Sequence, residues 1–438
     1  MRLRAFLVYV CVIGMAASAA DPPGDPNALR TIDDYLREAA LNNAGLRAKF
    51  DQWRAAVEQV PQARALPDPR FTYGYFIEKV ETRVGPQRQR FSLMQTFPWF
   101  GTIEARTDAA AATAKAAHKD YESSKLELFY KVKNAFDEYA YLGRAVSIAE
   151  QNLELLKHFE QVARTKYIAA VATHPDVIQA QIELVTLEDK VISLQRLREP
   201  TVAALNAALN RKAASDLPWP ARRDLSAERL DRKALATDMM AGNPQLAGMD
   251  YEVEAARAQV ELARKRSYPD IGLGVDWIET GPARMNTSDS GKDPIVAMLS
   301  VNLPIWTDSY KAAERQAQAR ARSVSSARSQ RANELVAQFE QALYAFEDSR
   351  RKVDLYHNVL IPKAHEMLEA SESAYRVGQL DFLSLVNAQR TLLGFELAYE
   401  RAATDSNQRL AELEMLVGKE LTGGSGLVSA DESENPDN

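Results

Sequence analysis

From Thr102 to His174 the chain contains no proline, and only Gly143 interrupts it. Along this stretch Leu128, Val132, Ala135, Tyr139, Leu142, Val146, Ala149, Leu153, Leu156, Ala163 and Tyr167 recur at alternating four- and three-residue steps, with one gap at Glu160. That heptad spacing predicts one helix running to about Ala169, its apolar seam packed along a partner. At 1.5 Å per residue it would be roughly 100 Å long, several times the thickness of a bilayer. Thr173, Pro175 and Asp176 form a helix-start pattern and predict a returning helix to about Asn210. A second seam passes through Phe339, Ala342, Phe346, Val353, Tyr356, Leu360, Met367, Ala370, Ala374 and Val377. Pro362 lies inside it and predicts a local bend.

Ahead of each long helix the period changes to two. A capped helix from Thr31 to about Leu66 ends at Pro67-Asp68-Pro69, and then Phe71, Tyr73, Tyr75 and Ile77 alternate with Thr72, Gly74, Phe76 and Glu78. After the turn-like Arg83-Val84-Gly85-Pro86, Phe91, Leu93 and Phe97 share one side; later, Ile271, Leu273, Val275, Trp277, Leu299, Val301 and Leu303 follow the same rule. Antiparallel strands are expected near 70–80, 88–98, 270–279 and 294–304.

The plan occurs twice. Asn43-Ala44-Gly45-Leu46 returns as Asn243-Pro244-Gln245-Leu246, and Pro67-Asp68 as Pro269-Asp270. Phe97-Pro98-Trp99 returns as Leu303-Pro304-Ile305, and Tyr167 through Gln181 as Tyr375 through Gln389. Order, spacing and residue type agree, the pattern of an internal duplication.

Four strands cannot close a barrel around useful space. Their apolar faces are rich in Phe, Tyr and Trp, and Trp99, Phe100 and Trp306 gather where strand meets helix, as an interfacial belt would. Three copies would pool twelve strands, enough for a closed wall with a lumen on one side and lipid on the other. A small soluble sheet lying on a helix is the plainer alternative.

The N-terminus sharpens the address. Met1-Arg2-Leu3-Arg4, an apolar run to Met15 and Ala16-Ala17-Ser18-Ala19-Ala20 read as a secretory signal over residues 1–20. The only cysteine, Cys11, falls inside it, so the mature chain has no thiol chemistry. Of 438 residues, 46% are hydrophobic and 26% charged, which indicates a folded protein. The net charge of −6 becomes −8 without Arg2 and Arg4, which argues against a nucleic-acid partner.

Little suggests catalysis. His118, His158, His174, His357 and His365 are scattered without zinc-type spacing, and Met239, Met240, Met249, Met285 and Met298 form no cluster. No phosphate-cradling loop or nucleophile elbow appears, and Asp33-Asp34 reads as helix N-terminal charge. No enzyme activity, cofactor or metal is expected.

With Tyr375-Arg376-Val377-Gly378-Gln379-Leu380-Asp381-Phe382-Leu383, followed by Asn387-Ala388-Gln389, the chain resembles the outer-membrane efflux protein (TolC) family. The duplicated layout and the junctions at Pro98 and Pro304 extend the resemblance from about Thr31 to Leu421. The resemblance implies a mainly α protein with a β-barrel portion: a homotrimer with a twelve-stranded outer-membrane barrel continued by a periplasmic α-helical barrel. It further implies docking on a periplasmic adaptor (membrane fusion) protein and an inner-membrane pump through the hairpin tips. Those tips comprise Tyr167, Ala170, Val171, Thr173, Pro175 and Asp176 in the first copy, and Tyr375, Val377, Gly378, Gln379, Leu380, Asp381 and Phe382 in the second.

The family's gating aspartates fall at Ser384 and Asn387, leaving Asp381 and Asp176 as weaker substitutes. In the residues themselves, Gly378 suits a left-handed helix end, Asp381 a cap, and Val377, Leu380 and Phe382 an apolar projection. The expected divisions are a first repeat at 21–210, an inter-repeat segment at 211–243, a second repeat at 244–420 and a disordered acidic tail at 421–438. The expected function is a passive export duct for small molecules or metal ions. A secreted coiled-coil scaffold or adaptor is the alternative, though an adaptor would carry one helical hairpin between β-rich halves.

Overall fold

The computed structural model describes residues 29, 31–225, 230–285 and 288–421; the signal-like segment and the tail beyond 421 lie outside the described residues. The single helix expected over 31–66 is divided into α1 (Ile32–Asn42), α2 (Ala44–Val57) and α3 (Gln59–Arg64). Asn43 causes the first break, adopting an extended conformation so that its Oδ1 accepts from the Leu46 amide at 2.9 Å. The strands are β1 (Arg70–Tyr75), the short β2 (Glu81–Thr82), β3 (Gly85–Phe97), β4 (Ile271–Thr280) and β5 (Ile295–Val301).

Two expected strand residues fall outside these bounds. Ile77 lies beyond β1, because β2 takes over the pairing with the start of β3. Leu303 lies beyond β5, next to Pro304, which has no N–H to give to a ladder.

The long helix forms as the seam requires. α4 runs from Thr102 to Ile168, 67 residues, and returns through α5 (His174–Arg196) and α6 (Arg198–Ala208). After the inter-repeat segment come α7 (Arg232–Gly242), α8 (Pro244–Lys265), α9 (Thr307–Leu355), α10 (Ile361–Arg376) and α11 (Phe382–Val417).

Between α9 and α10 there is a single π turn, Tyr356–Leu360, in which the Ile361 amide reaches the carbonyl of Tyr356. It answers the bend expected at Pro362, whose ring cannot sit over an ordinary helical turn. The extra residue shifts every later seam position by one. Ala364, Leu368 and Tyr375 are buried, while the expected Met367 and Ala370 are exposed and Ala374 is only partly covered.

One sheet orders the upper half of the molecule, with strands β1-β3-β4-β5, all antiparallel. Beneath it α2, α4, α8 and α9 lie side by side in the same sequence, because each strand joins its helix through only a few residues. Lower down α4 pairs with α5 and with α11, and α11 with α9 and α10.

The short helices are spliced end to end by two asparagines at matching places in the two halves. Asn43 Nδ2 donates to the Ala208 carbonyl at the end of α6 (2.9 Å). Asn243 Nδ2 donates to the Leu416 carbonyl near the end of α11 (2.8 Å) while its Oδ1 caps α8. Each side chain therefore satisfies one helix's last carbonyls and the next helix's first amides.

Gly143, the one break in the long proline-free run, has a packing reason. The indole of Trp219, from the inter-repeat segment, lies so close that a Cβ there would meet it at 2.8 Å. Trp219 also packs on Tyr139, whose hydroxyl donates to the Leu217 carbonyl at 2.8 Å.

Candidate functional site

The strand wall is two-faced, and pairing register fixes which residues share a face. One row crosses all four strands as Tyr73, Phe91, Trp277 and Ile295, and the next as Phe71, Leu93, Val275 and Ala297. A third holds Gln95, Leu273 and Leu299, and a fourth Phe97, Ile271 and Val301. Apart from Ile77 and Leu303, the residues expected to face lipid thus fall on one surface together with Tyr75, most of them exposed. The opposite face carries Ser92, Thr96, Gly272 and Ser300, and Arg90 forms an ion pair with Asp276 across β3 and β4. Sequence reading missed that pair, since each partner appears as an ordinary polar position of an alternating strand.

At the other end of the molecule both hairpin tips use one backbone device. The Val171 amide reaches the Lys166 carbonyl (2.8 Å) and the Ala170 amide that of Tyr167 (2.9 Å). Gln379 and Gly378 repeat this onto Ala374 and Tyr375 at 2.9 and 3.1 Å. This is the Schellman helix end, which needs a left-handed residue. Gly378 supplies it with φ +80°, and Ala170 is forced into it with φ +57°.

A left-handed alanine carries about 1 kcal/mol or more of strain. Ala170→Gly is therefore expected to stabilise the first tip by roughly 0.5–1 kcal/mol. Slower amide exchange over residues 166–173 would register the gain, and unchanged or faster exchange would contradict it.

The helices leaving the tips start as the sequence implies. The Thr173 amide donates to the Asp176 carboxylate at 3.0 Å, with Pro175 in the first turn of α5. Asp381 accepts from the Ser384 amide at 2.8 Å, and hydrogen bonds from Ser384 hold its carboxyl below the usual carboxylate range. Asn387 is exposed one turn further on.

The apolar projection differs from expectation. Phe382 is only 1% exposed and Tyr375 4%: the two rings pack edge to face at 5.5 Å inside the core shared by α4, α5, α10 and α11, and Leu380 leans on that core. Once the π turn rotates α10, Tyr375 points inward and draws Phe382 with it. Burial pushes the Tyr375 hydroxyl up to about 12. The exposed apolar side chains at the tips are Tyr167, Ile168, Val171 (66%), Val377 (70%) and Leu383. Ile168 and Leu383 were missed because they fall off the seam. Lys166 joins the tips, its ammonium hydrogen-bonded to the Tyr375 carbonyl and 4.5 Å from that ring.

A polar seam links the two hairpins along α4 and α11. Lys133 meets Glu414 at 2.7 Å, Arg401 meets Glu138 at 2.8 Å, and Gln389 donates to Asn152 at 3.0 Å. Among the described residues no group of three or more His, Cys, Asp or Glu could hold a metal ion, and no helix is long and apolar enough to cross a membrane.

A two-faced strand wall runs directly into long helical hairpins, a build that suits a channel. The family model for outer membrane efflux proteins matches residues 35–211 and 235–419, and the chain belongs to that family. It is similar to the pyoverdine export outer membrane protein OpmQ of Pseudomonas aeruginosa, with 26% identity over 90% of this chain and 85% of the relative. It is also similar to the cobalt-zinc-cadmium resistance protein CzcC of Cupriavidus metallidurans, with 21% identity over 89% and 90% of the two chains. Its fold matches the crystal structure of the Vibrio cholerae outer membrane protein VceC with a TM-score of 0.74 at 16% identity, covering 89% of this chain and 97% of that one. The protein is an outer-membrane efflux channel with a large periplasmic part.

Proposed function

We propose that three copies of this duplicated chain share one twelve-stranded barrel in the outer membrane and extend their hairpins into the periplasm as a helical tube, a passive conduit for small molecules or metal ions. The observation that supports this most is the open sheet. Among the described residues β1 and β5 are left as unpaired edges, one face is mostly apolar, and the helices beneath lie in the same order as the strands. An exposed edge pairs with another copy unless it is blunted, and closure removes all edges at once. The exposed stripe Ile178, Ile182, Val185 and Ile192 on α5 is a further surface for a neighbouring copy.

In this reading the tips dock on a periplasmic adaptor, which links the tube to an inner-membrane pump. The docking surface is Tyr167, Ile168, Val171, Val377 and Leu383, set around Ala170, Thr173, Pro175, Gly378, Gln379 and Asp381. Because Asp381 is engaged as a helix cap, Asn387 is the freer candidate for a ring at the tube's entrance, with Ser384 beside it. The names of the relatives span pyoverdine export and cobalt-zinc-cadmium resistance, so the cargo is assigned to the pump.

Fractionation with gel mobility before and after heating tests the assembly. A band of trimer size in the outer-membrane fraction, collapsing on boiling, is the expected result. A folded monomer dissolved in detergent-free buffer would refute it and favour a periplasmic scaffold.

A further inference from the structure

All four junctions between strand and helix lie at one level, and each exposes apolar side chains there. Phe100 is 76% exposed and Trp306 73%, with Leu66, Tyr268, Leu303 and Ile305 also exposed. Trp99 stacks on Tyr268 at 5.3 Å with rings 9° apart, which fixes the junction of β3 with α4 against that of α8 with β4. This collar continues the apolar strand face toward the periplasm, as an interfacial belt does.

Charge distinguishes the collar from the opposite end of the wall. Segments 64–70, 98–108, 264–270 and 302–315 hold eight Arg and Lys against six Asp and Glu, a surplus of two in a chain whose net charge is −6. The far rim, residues 76–88 and 279–294, holds five of each. Arg83 pairs there with Asp289, Arg88 with Glu279 and Arg284 with Glu81, while Lys79 and Lys292 have no ion pair among the described residues. In the collar, Arg264 is engaged by Glu261 and Glu314, whereas Lys265 and Arg266 have no ion pair or side-chain hydrogen bond among the described residues. A Cβ on Gly101, next to Phe100 in the chain, would stand 3.2 Å from the Lys265 ammonium and 4.0 Å from the Glu104 carboxylate.

We infer that this collar binds the phosphate of an anionic glycerophospholipid of the periplasmic leaflet. Lys265 and Arg266 meet the headgroup, and Phe100, Tyr268 and Trp306 lie along the glycerol and upper acyl region. The inference rests on the membrane-spanning reading above. Unpaired cations beside an apolar face match an anionic headgroup on an acyl chain, and a soluble anion would leave the aromatics uncovered.

The test reconstitutes the full protein into nanodiscs of phosphatidylcholine containing a minor fraction of phosphatidylglycerol, then counts lipid retained after a detergent wash by native mass spectrometry. Native protein is expected to retain phosphatidylglycerol in preference to phosphatidylcholine. At about fivefold per cation near an anionic surface, removing both charges by Lys265→Gln with Arg266→Gln is expected to lower retention roughly thirtyfold. Lys292→Gln at the far rim is the control and is expected to leave retention unchanged.

Equal retention of both lipids by native protein, or native retention by the double variant, overturns the inference. Displacement of phosphatidylglycerol by millimolar inorganic phosphate would assign the cations to a free anion and also overturn it. Failure to insert into nanodiscs of either composition would instead overturn the membrane-spanning reading.

Discussion

Replacing Gly378 with tryptophan is expected to abolish export-dependent resistance in a cell that carries the cognate adaptor and pump, while the protein remains assembled in the outer membrane. At φ +80° any side chain bears left-handed strain of about 1–2 kcal/mol, small enough for an exposed helix end to absorb. No atom lies within 4 Å of where a Cβ would stand, so a side chain there starts in open space. If the tip docks on an adaptor as proposed, the indole would project into the space that the adaptor occupies, beside the exposed Val377. Gly378→Ala separates the two effects, because it carries the same backbone strain without the bulk. Alanine is expected to retain most of the resistance and tryptophan to lose it, measured as growth at graded substrate concentrations alongside outer-membrane protein level. If alanine is as inactive as tryptophan, backbone geometry rather than a docking surface governs this position.

Much of this architecture was legible because periodicity survives in long elements. The seam of α4 placed Leu128, Val132, Tyr139, Leu142, Val146, Ala149, Leu156 and Ala163 correctly in the interior. Alternation gave the apolar rows of the sheet, and the repeated Asn was legible as a sign of duplication but not as the helix break that it makes in both halves.

What could not be read has local causes. The π turn inserts a single residue's worth of rotation, invisible to a heptad count, and it turns Tyr375 and Phe382 from presumed surface into core. The wider buried face of α4, with Phe129, Phe136 and Phe159 off the seam, exists because that helix meets several partners rather than one. Charges such as Lys133, Asp137 and Glu414 look like solvated positions until the second half of the chain covers them. Only the fold brings together residues so far apart in sequence.

The inter-repeat segment supplies the other large expected effect, centred on Arg223. Its guanidinium forms a fork on the Asp137 carboxylate, with Nε to Oδ1 at 2.8 Å, and also donates to the Asn407 carbonyl at 3.2 Å. One side chain thus fastens the connecting segment to α4 and to α11. Asp137 is only 3% exposed; burial pushes its carboxyl up, and the Arg223 fork opposes that push.

Arg223→Ala strands this carboxylate and is expected to cost about 3–5 kcal/mol, the usual penalty for breaking a buried pair from one side. Adding Asp137→Asn removes the stranded charge and is expected to recover much of the loss, in thermal unfolding followed by circular dichroism. The pH dependence carries a definite sign. Without Arg223, and with Lys133 the remaining cation that lowers it, the folded carboxyl stands above its unfolded value near 3.8, so the folded state binds the proton more tightly than the unfolded chain does. Stability of the variant must then fall as pH rises from about 4 through the folded value, and its deficit against the native protein should be larger at pH 7 than at pH 5. A deficit that is the same at both pH values would mean that Arg223 holds the segment by packing and by its bond to Asn407 alone.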